Sequence, residues 1–201
     1  MPLSRAHKER SRQAIVDAAA RLFRRHGFDG VGIDDIMAAA GLTRGGFYNH
    51  FRSKAALFEQ VVAHKHGFID LMRRRDGRTR TTLRAQCQAI VDDYLEPAHL
   101  TEVGEGCTMA ALLGDVARAG PAARRGFSAA VARLADEFAR GLDAGKTQDD
   151  RALASLALCV GGLALARGLS DRKLAAALLA ACRAEVELLQ NRPARPRARG
   201  R

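Results

Sequence analysis

Residues 44–54, RGGFYNHFRSK, combine hydrogen-bonding side chains with two adjacent glycines. Arginine and asparagine can each form paired hydrogen bonds to a nucleic-acid base, arginine to guanine and asparagine to adenine. Arg44 and Asn49 therefore have the chemistry to read base edges. Phosphate oxygens suit three further side chains in the same stretch, which are Tyr48, His50 and Lys54. The residue types predict contact with a polyanion.

Short helices are predicted on both sides of this stretch. Residues 33–40, IDDIMAAA, begin with two aspartates, which suit the positive end of a helix dipole. Gly41 ends that helix, and Thr43 is expected to cap a third helix through its hydroxyl. A short helix, a turn and a second short helix form a helix-turn-helix, whose second helix enters the major groove of DNA.

The two glycines weaken the third helix by about 1 kcal/mol each. Phe47 and Phe51, four residues apart, are expected on its buried side, with Gly45 and Asn49 on the opposite face. Glycine there lets the backbone approach bases and phosphates closely. The low helix propensity is thus explained by a DNA-facing surface that must carry few side-chain atoms.

Residues 41–57, GLTRGGFYNHFRSKAAL, preceded by AAARLFRRHGFDGVGIDDIMAAA, resemble the DNA-binding domain of the TetR/AcrR family. The family pattern G-[VL]-[ST]-x-[GA]-x-[FL]-Y-x-[HY]-F-x-[SN]-K-x-x-L is matched nearly throughout, and the resemblance as a whole covers about 60 of 201 residues. The resemblance implies an all-α homodimeric repressor, with an N-terminal three-helix DNA-binding domain and a C-terminal domain for a small effector and dimerisation. The DNA-contacting residues that it implies are Thr43, Arg44, Gly45, Tyr48, Asn49, His50 and Lys54.

One departure from the family lies at the start of the second helix. Members commonly place Thr or Ser there to contact phosphate, whereas this chain has Val31, Gly32 and Ile33. Only a backbone amide could make that contact here.

Helical periodicity continues through most of the chain. Helices are predicted at 8–26, from 53 for about 20 residues, and at 80–96, 108–118, 121–142, 150–167 and 171–189. We expect three parts: a DNA-binding domain at 9–69, an effector-binding and dimerisation domain at 80–190, and a basic disordered tail at 191–201.

The last two predicted helices, 150–167 and 171–189, are rich in Ala, Gly, Ser and Leu. Small side chains let helix axes approach closely, so this pair is expected to form a homodimer interface. An ordinary core within one chain remains the alternative.

The excess of basic residues lies at the two ends of the chain. The formal charge is +11, and residues 1–54 carry 10 basic and 5 acidic side chains, 55–191 carry 18 and 17, and 192–201 carry 5 and none. Such segregation is typical of a nucleic-acid partner. The Arg-rich tail leaves open a nonspecific DNA-coating protein as a remote alternative.

Candidate effector contacts lie on the helices after residue 80. They are mostly apolar, although such stripes also form ordinary cores, and they comprise Gln88, Val91, Tyr94, Cys107, Met109, Leu112, Leu113, Phe127 and Val131. Cys107 stands at the start of a predicted helix, a position at which thiols tend to be more reactive, although Glu102 and Glu105 nearby oppose this. A redox or electrophile sensor acting through Cys107 is therefore a second functional hypothesis, and a buried structural thiol is its alternative.

Other chemistry finds little support in the sequence. The four cysteines form no CxxC pair, and His64 and His66 point about 200° apart on a helix, so we expect no metal site. His99 and Cys107 lack an orienting third group, so an enzyme is not expected. No cofactor is expected either. The charged first residues and the absence of a sufficiently long apolar run indicate a cytoplasmic protein.

Overall fold

The computed structural model describes residues 5–75, 80–140, 142 and 150–192. Every regular element in these residues is helical: α1 (Arg5–His26), α2 (Ile33–Ala39), the 3₁₀ helix η1 (Arg44–Asn49), α3 (Lys54–His64), α4 (Gly67–Arg73), α5 (Arg80–Tyr94), the 3₁₀ helix η2 (Pro97–Leu100), α6 (Thr108–Arg118), α7 (Pro121–Ala139), α8 (Asp150–Gly168) and α9 (Arg172–Asn191). The all-α prediction is confirmed. The tail prediction falls on residues that, from 193 onward, lie outside the described part.

The described chain divides into two compact units. The first unit contains the residues up to Gly67 together with Glu102–Ala130, and the second contains Phe68–Thr101 and the residues from Val131 onward. α6 and the beginning of α7 therefore pack with the N-terminal helices. The sequence predicts domains at 9–69 and 80–190 and so places residues 102–130 with the C-terminal helices, whereas these residues cluster with the first unit.

The core of the first unit is built on α1. Ile15, Ala19 and Phe23, spaced at four residues, are completely buried, and Phe23 meets Phe58 of α3 edge-on with ring centroids 5.5 Å apart. Gly27 ends the helix at φ 73°, a conformation that glycine adopts without strain.

α6 belongs to the first unit through both apolar and polar contacts. Leu112 and Val116 lie in the same core cluster as the α1 residues. Arg24 of α1 donates hydrogen bonds to the Gly104 carbonyl at 2.7 Å and to the Thr108 hydroxyl at 3.2 Å. The start of α6 is thus attached to the end of α1.

The predicted long helix from residue 53 is interrupted, so that prediction is wrong. α3 ends at His64, and Lys65 takes φ −96° and ψ 77°, which is not helical. The buried His66 ring is hydrogen-bonded through Nε2 to the Val62 carbonyl at 2.7 Å, and the Thr108 hydroxyl donates to the Lys65 carbonyl. These contacts replace helical hydrogen bonds, and Gly67 adds its low helix propensity.

The second unit is dominated by the packing of α8 against α9. Gly162 lies against Cys182 so closely that a Cβ atom at Gly162 would stand 2.7 Å from the sulfur. Asp171 caps α9 by accepting hydrogen bonds from the amides of Lys173 and Leu174. Small residues therefore serve first to bring these two helices together within one chain.

One described helix, α8, is long and apolar enough to cross a membrane, but half of that stretch is buried inside its own unit. Burial of this kind is expected for a core helix.

Candidate nucleic-acid interface

The segment that follows α2 forms a 3₁₀ helix, not an α-helix. Thr43 precedes it in extended conformation, with φ −82° and ψ 147°, and its carbonyl accepts from the Gly46 amide at 3.0 Å. The expected cap through the Thr43 hydroxyl is wrong, since that hydroxyl makes no capping hydrogen bond. Two adjacent glycines lower the α-helical propensity of this turn, and a short 3₁₀ helix forms instead, with the buried Phe47 inside it and the buried Phe51 just after it.

The two phenylalanines anchor η1, as expected. Phe47 is completely buried and Phe51 nearly so, with ring centroids 5.9 Å apart. Gly46 faces inward, 3.6 Å from Met37 when a Cβ is placed on it, whereas a Cβ at Gly45 would meet nothing within 4 Å. The outward face of η1 and its approach is solvent-exposed and comprises Thr43, Arg44, Gly45, Tyr48 and Asn49.

Arg44 already has a partner on α2. Its guanidinium lies 2.8 Å from a carboxylate oxygen of Asp34, and both side chains remain exposed. The sequence indicates only a dipole role for Asp34 and does not reveal its pairing with Arg44. Because arginine carries five donors, the pair orients the guanidinium while leaving hydrogen-bonding capacity for a further partner.

The start of α2 offers no amide for phosphate at Gly32. The Gly32 amide donates to the Asp35 carboxylate at 2.8 Å. A Cβ at residue 32 would lie 3.0 Å from the same carboxylate oxygen. The Gly32 amide therefore already has an acceptor within the chain, at the position where the sequence leaves only a backbone amide for a phosphate contact.

Lys54, at the start of α3, is half-buried. Its ammonium group donates to the carbonyls of Phe28 and Val31, both at 2.9 Å, and lies 4.3 Å from the centre of the Phe28 ring. An ammonium group has three donors, so one hydrogen can still point to a phosphate. Lys54 thus joins α3 to the α1–α2 connection.

His50 closes η1 at its far end and is half-buried. Burial lowers the pKa of its imidazole, and the positive charges of Lys8 and Arg12 lower it further, while Glu9 opposes them. The surroundings of the ring therefore favour its neutral form. Its Nδ1 is buried without a hydrogen-bond partner in the described part of the chain.

The nine candidate effector contacts fall into both units. Gln88, Val91, Tyr94 and Val131 belong to the second unit, and the other five belong to the first. Leu112 and Phe127 pack in the core of the first unit, and Tyr94 stacks on Phe68 with centroids 4.0 Å apart. Among the second-unit candidates Gln88 has polar contacts, accepting from Gln190 at 3.1 Å and donating to Asp92 at 2.8 Å.

Cys107 occupies the position before α6 and is 5% exposed. The other three cysteines are also buried. Burial raises the pKa of Cys87 to about 11, although the charge of Arg75 lowers it, and burial also raises the pKa of Cys182. These two thiols are consequently poor nucleophiles. No group of three or more His, Cys, Asp or Glu that could hold a metal occurs in the described residues.

Comparison with known proteins identifies the helix-turn-helix. The family model of bacterial regulatory proteins of the tetR family matches residues 15–61. The chain is 42% identical over 62 residues to the transcriptional repressor DhaR of a Mycobacterium species, covering 31% of this chain and 30% of DhaR. It spans 25% to 42% of the length of the first curated relatives.

Two further similarities extend beyond that region. The chain is 35% identical over 94 residues to the HTH-type regulator TtgW of Pseudomonas putida, covering 47% of this chain and 67% of TtgW. The crystal structure of reduced Escherichia coli NemR matches with a TM-score of 0.70 and 18% identity, over 89% of this chain and 95% of that chain. The latter likeness shows the fold.

The exposed face of η1, its phenylalanine anchors and these relatives lead to one conclusion. The chain belongs to the TetR/AcrR family of helix-turn-helix transcriptional regulators, which bind DNA and are not enzymes.

Proposed function

We propose that this regulator is a cytoplasmic, homodimeric repressor that binds a palindromic operator through η1 and is released by a small-molecule effector. The observation that carries the proposal is the exposed face of η1, with Arg44 and Asn49 presented beside an open Gly45. Several relatives are named repressors, DhaR among them.

Arg44 and Asn49 read bases in this proposal. At about 2.0 Å of rise per residue in a 3₁₀ helix, they are separated by roughly 10 Å, close to three base-pair steps of about 3.4 Å. Bidentate contacts of Arg to guanine and of Asn to adenine are each worth about 1–3 kcal/mol of discrimination. Phosphate contacts from the neighbouring side chains fix the register, and these come from Thr43, Tyr48, His50 and Lys54.

Dimerisation is proposed through α8 and α9. Although these helices pack on each other, each keeps two strongly exposed leucines. These are Leu153 (43%), Leu165 (65%), Leu174 (53%) and Leu188 (64%). A pair of helices that is buried on one side and apolar on the other is suited to the same pair in a second copy.

Release follows from differential binding. A dimer must place two reading segments in successive major grooves, about 34 Å apart. An effector that prefers a different spacing lowers operator affinity by the coupling free energy, typically about 1–3 kcal/mol. Of the nine candidate contacts, we favour Gln88, because its half-buried amide is the polar handle an effector could share with Asp92 and Gln190.

The second candidate function is a thiol sensor through Cys107. It is supported by the position of Cys107 directly before α6, next to Thr108, whose hydroxyl contacts Arg24 and Lys65. An adduct on this thiol would disturb those contacts. Alkylation rates of the four cysteines decide the matter, since a sensor requires Cys107 to react faster than Cys159 and Cys182.

Selection of bound duplexes from a random DNA library tests the main proposal. We expect an inverted repeat with half-sites one helical turn apart, and loss of preference at one half-site position in Arg44→Ala and at another in Asn49→Ala. Absence of an enriched repeat contradicts the proposal. A chain truncated after Gln190 separates a repressor, which keeps its footprint, from a DNA-coating protein that depends on the basic tail at 191–201.

A further inference from the structure

The first two turns of α1 extend beyond the core that the rest of the helix helps to form. All residues from 5 to 10 are exposed, and complete burial begins only at Ile15. A helical segment without buried apolar residues gains little from packing. The side chains of this segment are therefore available to contact another molecule.

Three basic residues on these turns share one side of the helix. Arg5, Lys8 and Arg12 are spaced by three and four residues, which places them in one stripe. The same spacing continues to Ala19 and Phe23 in the core. The stripe is therefore the outward continuation of the side of α1 that faces the other helices of the first unit.

Contacts place this stripe beside η1. The guanidinium of Arg12 lies 4.7 Å from the centre of the Phe51 ring and donates to the Gln60 side chain at 3.4 Å. The charges of Lys8 and Arg12 are close enough to His50 to lower its pKa. Arg5 and Lys8 make no hydrogen bond or ion pair with another described residue, and Glu9 is the one acidic side chain among residues 5–12.

From this placement we propose that Arg5 and Lys8 form a second DNA-contacting surface, which binds the phosphate backbone next to the bases read by η1. The inference rests on the proposed operator binding. A segment in the major groove, about 12 Å wide, is flanked by phosphates on both sides, and the stripe lies at the His50 end of η1. These contacts add affinity and register without reading sequence.

Salt dependence of DNA binding tests the proposal. The variant carries Arg5→Gln and Lys8→Gln, and its matched control is Arg10→Gln, an exposed residue about 200° around the helix from Lys8. Each lost phosphate contact should flatten the slope of log K against log salt by about 0.9. Because both subunits of the proposed dimer lose two contacts, we expect the double variant to lose about 3.6 units of slope. Affinity should fall equally for operator and unrelated duplex, and the control should keep the wild-type slope.

Two results overturn the inference: a wild-type slope in the double variant, or equal flattening by the Arg10→Gln control. Phosphate-ethylation interference gives an independent reading, because the double variant should lose interference at phosphates outside the bases contacted by η1. Failure of the operator proposal looks different, since the wild-type protein would then select no inverted repeat.

Discussion

The guanidinium of Arg44 and the carboxylate of Asp34 lie 2.8 Å apart, joining η1 to α2. An exposed ion pair of this kind contributes at most about 1 kcal/mol to stability. In the proposed operator contact its importance lies in orientation, because it holds the guanidinium of Arg44 in one direction before DNA binds.

Asp34→Asn should separate orientation from charge. Loss of one negative charge near the DNA is worth roughly 0.6 kcal/mol at about 7 Å in water, so affinity for any duplex should rise about threefold for each subunit that binds. Discrimination between bases at the operator position that Arg44 is proposed to read should fall. Titrations with operator and a single-base variant measure both, and Asp35→Asn, which carries the same charge change without the Arg44 contact, should raise affinity alone. Identical behaviour of the two variants would contradict an orienting role for Asp34.

Lys54→Met should weaken both folding and DNA binding. The variant leaves the carbonyls of Phe28 and Val31 without their donor, which costs about 1–3 kcal/mol of unfolding free energy. Binding to operator and unrelated DNA should fall by the same factor. Lys65→Met is the control, since Lys65 forms a partly exposed pair with Asp17 at 2.5 Å and should cost less. A changed base preference in Lys54→Met would contradict the phosphate role.

His50 makes stability depend on pH. The folded-state pKa lies below the ordinary value of 6.5, so the unfolded chain binds the proton first as pH falls. The free energy of unfolding should therefore decrease below about pH 6.5 and stop decreasing once the folded-state pKa has been passed. Denaturant titrations across this range should show a smaller decrease in His50→Gln, and an unchanged pH profile in that variant would refute the assignment.

Leu165→Arg and Leu188→Arg should dissociate the proposed dimer. Both leucines are about two-thirds exposed in the single chain, so the substitutions should barely change the fold of one subunit, while a buried unpaired charge is costly in an interface. Sedimentation velocity measures the outcome. Leu71→Arg, at a half-exposed leucine of α4, should leave the association unchanged; equal dissociation by all three variants would point to a different interface.

Arg75 should be important for the stability of the second unit. Its buried guanidinium donates to the carbonyls of Met72 at 2.8 Å, Leu83 at 3.3 Å and Glu137. Arg75→Met should lower the free energy of unfolding by about 2–4 kcal/mol, because three carbonyls lose a charged donor. Arg73→Met removes a half-exposed partner of the same Glu137 and should cost less than about 1 kcal/mol. Similar losses of unfolding free energy in both variants would contradict the larger role assigned to Arg75.

Most helix positions are predictable because they depend on neighbours in sequence. The sequence predicts α6 at 108–118, and the helix spans Thr108–Arg118. It predicts the end of α5 at 96, whereas the helix ends at Tyr94, since Pro97 starts a separate 3₁₀ turn. The break after His64 escapes prediction in part because one of its contacts comes from Thr108, which is distant in sequence.

The sequence by itself determined the all-α fold, the family and the inward orientation of Phe47 and Phe51, since these follow from local spacing and a short motif. Tertiary structure alone decided the partners of the charged groups. Arg44 meets Asp34 ten residues away, Lys54 reaches Phe28 and Val31, and Arg75 reaches Glu137 across 62 positions. Local periodicity does not encode such pairings, because they arise only when packed helices bring distant residues together.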